Sequence, residues 1–320
     1  TIGVLLGYIA NSALLGVDND WRWMLGLGSA LPLIVGVFLA LPQMPESPRW
    51  LFQAGREAEA EKTLCMFLPH DEAQGVMESM RQQRRELWDS RSPTVKVKED
   101  EMVGFGAWGQ VAEDMKADPK VGRMLAAATV VVVAHVACGF AALMFYSSVV
   151  LKASMSTKEA FHVTLIMGMS KVVFVGIALV VLESVGRRSI LLVSCAMVTA
   201  ANAFLTFAFV AGLGKWALAI GLVAFAAGHA LGLGPVTFVY LTEVFGTEYR
   251  GKGMAVAMSI SRAFAVAITF TFPLLIEAIG AGATFAGQTV ICLLLSITVF
   301  AFAYETGNRP LEATAKPIMD

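Results

Sequence analysis

Charge is scarce in this sequence. Of 320 residues, 15% are Asp, Glu, Lys or Arg and 57% are hydrophobic, with a mean hydropathy of +0.67. A water-facing domain keeps about a quarter of its residues charged, so the scarcity argues against a soluble domain and points to the bilayer as solvent. An excess of one sign is also missing: the net charge is −1, which leaves nothing basic to hold nucleic acid. Cys65, Cys138, Cys195 and Cys292 show neither disulfide nor metal spacing, and the last three read as small packing residues in apolar runs. No Met opens the chain, and Thr1 to Val17 lacks the basic region of a signal peptide. The sequence therefore reads as beginning partway through a larger protein. The carboxylates of the polar segment have no Ser, His or Cys at a spacing that would make a catalytic set, so no enzyme, cofactor or metal is expected.

What the chain has instead is long apolar runs. A helix needs about 20 apolar residues to cross roughly 30 Å of hydrocarbon. Eight runs qualify as candidates: 1–17, the shortest, then 23–44, 124–151, 161–182, 189–213, 216–242, 254–276 and 279–304. They must be helices, because an open strand would leave backbone groups unpaired in lipid. Pro32, Gly234, Pro235 and Pro273 lie inside them as candidate kinks. The fold class is all-α, a polytopic membrane protein.

The polar segment 45–123 divides these runs two plus six. Ser47 and Pro48 suit a helix N-cap and first turn. Amphipathic helices outside the bilayer are expected over Arg56 to Leu68 and Asp71 to Trp88, followed by a flexible stretch at 89–103. Gly104, Gly106 and Gly109 spell G-x-G-x-x-G, but no strand precedes them, so a nucleotide site is rejected. Lys and Arg set the orientation. The 45–123 segment holds 12 of them, and the short loops on its side and on the opposite side split six to four. That bias puts Thr1, the 45–123 segment and the C-terminus in the cytoplasm.

Opposite charges gather at the cytoplasmic ends of the runs. Glu46 and Arg49 follow the second, in Pro45-Glu46-Ser47-Pro48-Arg49-Trp50. Glu183, Arg187 and Arg188 occupy the turn between the fourth and fifth. Glu243 and Arg250 bracket the turn after the sixth, and Glu305 ends the eighth. Carboxylates and guanidiniums at such corners can latch helices in one state and release them in another. Lys171 is different. It lies 12 residues before Glu183, about 18 Å along a helix, near the bilayer centre, where a charge costs roughly 3 kcal/mol and should face a cavity or a partner. Arg262 is nearer its corner and can snorkel; His135 and His229 are intramembrane hydrogen-bonding groups.

The motifs P-E-S-P-R-W, E-x-x-G-R-R, G-x-G-P-x-x-x-V-Y-x-x-E-x-F-x-x-x-x-R-G and E-T-G-x-x-x-L-E resemble, in order and spacing, the sugar porter family of the major facilitator superfamily. Gly3 to Asn11, Gly234 to Thr237 and the placement of Lys171 resemble plant-type polyol and inositol porters. The resemblance implies two six-helix bundles with substrate held between them near midplane. It makes this chain the last eight helices, an N-terminally truncated major facilitator fold. Residues 1–44 would be the last two helices of the N-terminal bundle, 45–123 a cytoplasmic linker, 124–304 the C-terminal bundle and 305–320 a cytoplasmic tail.

The function implied is secondary transport of a polyol or sugar by alternating access, with a proton as co-substrate, the bilayer as surroundings and the plasma membrane as family default. The alternatives are a non-transporting sensor or regulatory relative, or an inactive truncated fragment. The positions that match the family's substrate-reading residues are His135, with Val136 and Ala141, then Tyr146, Phe238 and Ser261. Lys171 joins them as a site or gating cation. Several replace family amides or an indole, so the set that reads hydroxyls is depleted.

Overall fold

Apolar runs immersed in hydrocarbon satisfy their backbones internally, and these runs do so as helices. In a computed structural model, residues 2–14, 16, 17, 19–40, 45–90, 108, 109, 111, 114, 115, 119–152, 155–245 and 249–306 are described, and no strand occurs among them. The helices are α1 (Ile2–Leu14), α2 (Asp20–Ala40), α3 (Pro48–Gln53), α4 (Glu57–Leu64), α5 (His70–Ser90), α6 (Pro119–Ala137), α7 (Phe140–Lys152), α8 (Thr157–Val185), α9 (Arg187–Val210), α10 (Lys215–Leu231), α11 (Pro235–Val244), α12 (Arg250–Ile279) and α13 (Ala281–Phe302). Of the expected flexible stretch at 89–103, residues 89 and 90 belong to the end of α5; the rest of it, the glycines at 104 and 106 and most of the expected tail lie outside the described residues.

Seven described helical segments are long and apolar enough to cross a membrane: Asp20–Leu39, Val121–Ser147, Thr157–Leu182, Arg187–Val210, Lys215–Val244, Arg250–Ile279 and Ala281–Phe302. The first expected run, 1–17, appears as α1. Its 13 residues rise about 20 Å, short of the roughly 30 Å hydrocarbon core.

The chain forms two compact units, Trp21–Glu101 and Thr1–Asp20 with Met102–Asp320. In the first, α2 is apolar around its circumference, with Trp23, Leu25, Leu31, Leu33 and Phe38 exposed as in a lipid-facing helix. Helices α3 to α5 bury a small core of Leu51, Phe52, Ala60, Leu64, Ala73 and Met77. Arg81 pairs with Glu57 at 3.1 Å to tie α5 to α4. Ser47 occupies the expected N-cap, but its hydroxyl makes no capping bond; Pro48 alone supplies the start signal. The expected helix Arg56 to Leu68 stops at Leu64 and gives way to turns at 65–67; Pro69, which has no amide hydrogen, cannot continue the helix beyond them. The guanidinium of Arg56 bonds Glu59 at 2.6 Å and holds its carboxyl below the usual carboxylate range.

In the second unit α9 packs on α10 and α13, α8 on α10 and α1, and α6 on α12 and α13. Side chains of Val131, Leu191, Leu205, Leu222, Phe225, Tyr240 and Phe285 fill the interior. Exposed Val173, Val180, Phe207, Phe270 and Leu294 form an apolar exterior. Small residues let backbones approach. A Cβ at Gly228 would lie 2.8 Å from Met197, and one at Gly232 would lie 2.6 Å from the carbonyl oxygen of Ile190.

Two of the expected runs are interrupted at depth. The run 124–151 breaks at Gly139, whose φ is +89°, into α6 and α7. The run 216–242 breaks at Gly232–Gly234 into α10 and α11, with Pro235 opening the second piece. A break frees backbone groups that lipid cannot satisfy, and side chains from other helices take them up. Gln288 of α13 donates to the carbonyl of Ala137 at 2.6 Å. Ser194 of α9 donates to the carbonyl of Gly228 at 2.7 Å and accepts from the amide of Leu233 at 2.9 Å. The carbonyl of Leu233 accepts from Thr237 at 2.7 Å and from His135 at 2.6 Å.

Ser194 therefore serves two orphan groups at once. Replacing Ser194 by Ala leaves the Leu233 amide unpaired and is expected to cost about 1–3 kcal/mol, read as a lower denaturation midpoint in detergent micelles. An unchanged midpoint would show that the break does not depend on this hydroxyl.

Candidate functional site

The two interruptions bring a group of side chains together at mid-depth. His135 ends α6, Phe140 opens α7, Lys171 lies in the middle of α8, His229 is near the end of α10, and Phe238 is in α11. Because a carbonyl can only accept, the bond to Leu233 fixes the hydrogen of His135 on Nδ1 and leaves Nε2 an acceptor. The His135 ring lies 5.0 Å from that of His229, 6.0 Å from that of Phe140 and, edge-on, 5.5 Å from that of Phe238. Phe140 stacks on His229 at 3.9 Å with the planes 7° apart. The Lys171 ammonium sits 4.3 Å from the centre of the Phe140 ring, a cation–π contact in a desolvated place.

The sequence-predicted binding residues divide in this geometry. His135, Lys171 and Phe238 join one group through Phe140. Ser261 is buried on α12 and donates to the carbonyl of Val132 at 3.4 Å, one turn before His135, so its hydroxyl is engaged by backbone. Tyr146 lies further along α7 and stacks against Phe272 at 6.3 Å. Sequence reasoning gave His229 no site role and did not single out Phe140; the one available signal was their position beside the glycines that break the helices. Neither ring nitrogen of His229 has a hydrogen-bond partner among the described residues. Arg262 is exposed on α12. Cys138, Cys195 and Cys292 are unpaired and buried, and with Ala134, Val198, Leu233 and Leu295 they line a small apolar void behind the first break.

A second group forms at one end of the same unit. The guanidinium of Arg187, at the first position of α9, donates from Nε and Nη2 to both carboxylate oxygens of Glu243, at distances of 2.9–3.2 Å. These side chains are only 16% and 14% exposed. Thr306 donates to the same carboxylate at 2.6 Å. Glu305 accepts from the backbone amides of Arg187 at 2.8 Å and Arg188 at 3.2 Å, so an anion caps the positive end of α9. Gly186 permits this closeness. Its φ is +87°, and a Cβ there would lie 2.7 Å from Glu305 Oε2. Arg188 donates to the carbonyl of Phe300 at 2.8 Å, and the amide of Tyr304 donates to the Tyr240 hydroxyl at 2.9 Å.

Other corner residues stand apart from this network. Glu243 pairs with Arg187 and not with Arg250, whose Nε and Nη2 have no partner among the described residues. Glu183 is on α8, with its side chain outside the description, and Glu46, just before α3, and Arg49, in its first turn, are exposed in the other unit.

Residues 1–316 match the family model for "Sugar (and other) transporter". The chain belongs to the sugar transporter family. Within that family it is 32% identical over 325 residues to the probable polyol transporter 6 of Arabidopsis thaliana, covering 98% of this chain and 65% of the relative. It is 30% identical to the probable polyol transporter 3 of the same plant, covering 99% and 64%. The arabinose-proton symporter of Bacillus subtilis is 25% identical, over 94% of this chain and 60% of the symporter. The chain thus spans less than two thirds of the length of these relatives. Its fold is shared with the major facilitator proton:xylose symporter XylE bound to 6-bromo-6-deoxy-D-glucose. The TM-score is 0.73 at 20% identity, over 99% of this chain and 64% of that one. A partially occluded inward-open form of XylE from E. coli gives 0.70 at 20%, over 96% and 61%. The sugar transporter chain is accordingly an integral membrane protein of the major facilitator fold.

The Arg187–Glu243 pair is shielded enough to be costly to break on one side only. Replacing Glu243 by Gln is expected to cost about 2–4 kcal/mol, and the cycle with Arg187→Met should return a coupling of about 1–3 kcal/mol. Additive effects in micelle denaturation would mean that the two side chains do not depend on each other.

Proposed function

We propose that this chain provides the substrate-holding bundle of a secondary transporter that moves a polyol or sugar by alternating access, coupled to protons. The observation that carries this reading is the mid-depth group built at two interrupted helices inside a family-matched chain. Discontinuous helices near the bilayer midplane are where carriers of this architecture present polar groups to substrate. His135, Tyr146, Lys171, Phe238 and Ser261 are the proposed binding residues, with aromatic walls for the carbon skeleton and polar groups for the oxygens. The names of the relatives, polyol transporters and an arabinose-proton symporter, support both the substrate class and the coupling.

In the same reading the corner residues Glu46, Arg49, Glu183, Arg187, Arg188, Glu243, Arg250 and Glu305 form a cytoplasmic latch that holds in one state and releases in the other. The division proposed is 1–44 for the end of an N-terminal bundle, 45–123 for a cytoplasmic linker, 124–304 for the C-terminal bundle and 305–320 for the tail. The Lys and Arg bias supports a cytoplasmic N-terminus, linker and tail, and the proposed membrane is the plasma membrane.

Uptake of labelled inositol, sorbitol and glucose by the protein in transporter-null cells tests the proposal. Saturable uptake of at least one, abolished by a protonophore, is the expected result. Normal surface expression with no saturable uptake of any would contradict it and favour a regulatory relative.

A further inference from the structure

His229 is a buried polar ring that its surroundings leave unsatisfied. It is 2% exposed, near the end of α10, and neither of its nitrogens has a hydrogen-bond partner among the described residues. Other polar side chains around the two breaks are spent on backbone: Ser194 on Gly228 and Leu233, Thr237 on Leu233, Gln288 on Ala137 and Ser261 on Val132. A histidine that only filled the core would be bonded in the same way, because an unmade hydrogen bond away from water is a net loss of stability. Both nitrogens are already covered by described residues, so a further helix packed against this unit would find no surface of theirs to bond.

The cover is slight. Phe140 stacks on the imidazole at 3.9 Å with the planes 7° apart, yet it is itself only half-buried. It is the first residue of α7, directly after Gly139, whose φ of +89° breaks the run. Phe225 lies further off, with its ring centre 6.5 Å away. Beside Nδ1 the neighbouring backbone carries no side chain: a Cβ at Gly234 would stand 3.4 Å from that nitrogen. One half-exposed ring at a helix break therefore covers the imidazole.

We infer that His229 determines specificity by hydrogen-bonding one hydroxyl of the substrate, and that Phe140 covers it in the substrate-free protein; this rests on the carrier reading above and deepens it at the same site. A neutral imidazole has one nitrogen that donates and one that accepts. A hydroxyl does both, so it suits whichever nitrogen it meets. The bond also counts at close to full strength, because His229 gives up no water and no protein partner to make it. Withdrawal of Phe140 with the start of α7 uncovers the ring, and the substrate then supplies the partner that the fold withholds. An analogue without that hydroxyl leaves the nitrogen as it was, buried and unpaired.

The test uses the purified full chain in detergent with inositol, sorbitol and glucose, followed by the monodeoxy analogues of whichever binds most tightly. In the parent, one analogue should bind about tenfold or more weakly than the full ligand. His229→Phe keeps a ring for Phe140 to stack on and removes the nitrogens. It should bind the full ligand as weakly as the parent binds that analogue, and should no longer tell the two apart. Its ligand-free thermal midpoint should equal or exceed that of the parent, whereas a purely structural histidine would lower it. His229→Gln, which keeps a donor and an acceptor, should retain part of the discrimination and serves where His229→Phe does not fold. Phe140→Ala should make His229 reactive toward diethyl pyrocarbonate, with substrate protecting it; equal reactivity in the parent would contradict the cover. Full-ligand affinity in His229→Phe within twofold of the parent, or unchanged discrimination, overturns the inference and leaves the carrier reading standing. Saturable binding of none of the three ligands by the parent overturns both.

Discussion

A backbone amide or carbonyl in hydrocarbon must find a partner, and the interior of this chain is organised around the places where the helix itself stops supplying one. Continuous helix would have been the simplest solution for every run. At Gly139 and at Gly232–Gly234 the chain departs from it, and Gln288, Ser194, Thr237 and His135 take over the freed groups. These bonds tie α6, α9, α11 and α13 to the two breaks. They also turn side chains near the breaks toward one another, which is how His135, Phe140, Lys171, His229 and Phe238 come to share one region. The candidate site is a consequence of how the breaks are satisfied.

The end of the unit obeys a related rule with charges. The first amides of α9 have no partner within the helix, and the Glu305 carboxylate supplies one from beyond α13. The Arg187 side chain then turns to Glu243, and Thr306 completes that carboxylate. Three helices are thus joined by two acids and two arginines, at a corner where glycine is required because the Glu305 carboxylate occupies the space of a Cβ. Charged pairs of this kind are modest sources of net stability, but they are directional and reversible. Those are the properties that a switching corner needs.

Much of this was legible in advance. The long runs were visible because lipid demands apolarity over a span's length, and among the described residues they are helical apart from their ends and the breaks at Gly139 and Gly232–Gly234. The depth of Lys171 followed from counting turns to Glu183. The corner motifs marked Arg187, Glu243 and Glu305 as charges at the ends of runs. What sequence could not give was partnership at a distance. The break at Gly139 has no local sign beyond one glycine in an apolar run, and the residue that stabilises it, Gln288, lies 151 positions from Ala137. Glu243 is seven residues from Arg250 in sequence, yet its partner is Arg187, 56 positions away. His229 stands in the sequence only as an intramembrane hydrogen-bonding group, because nothing in its neighbourhood shows that Phe140 and His135 pack on it.

The claim most in need of proof is that the region around the breaks is where substrate sits. Phe238, 41% exposed, offers direct access. In a Cys65→Ser background, a cysteine introduced in place of Phe238 can be labelled with a maleimide in the presence and absence of transported substrate. Substrate should slow labelling there severalfold and leave unaffected a cysteine in place of the exterior Phe270. Equal labelling rates at position 238 with and without saturating substrate would contradict the account.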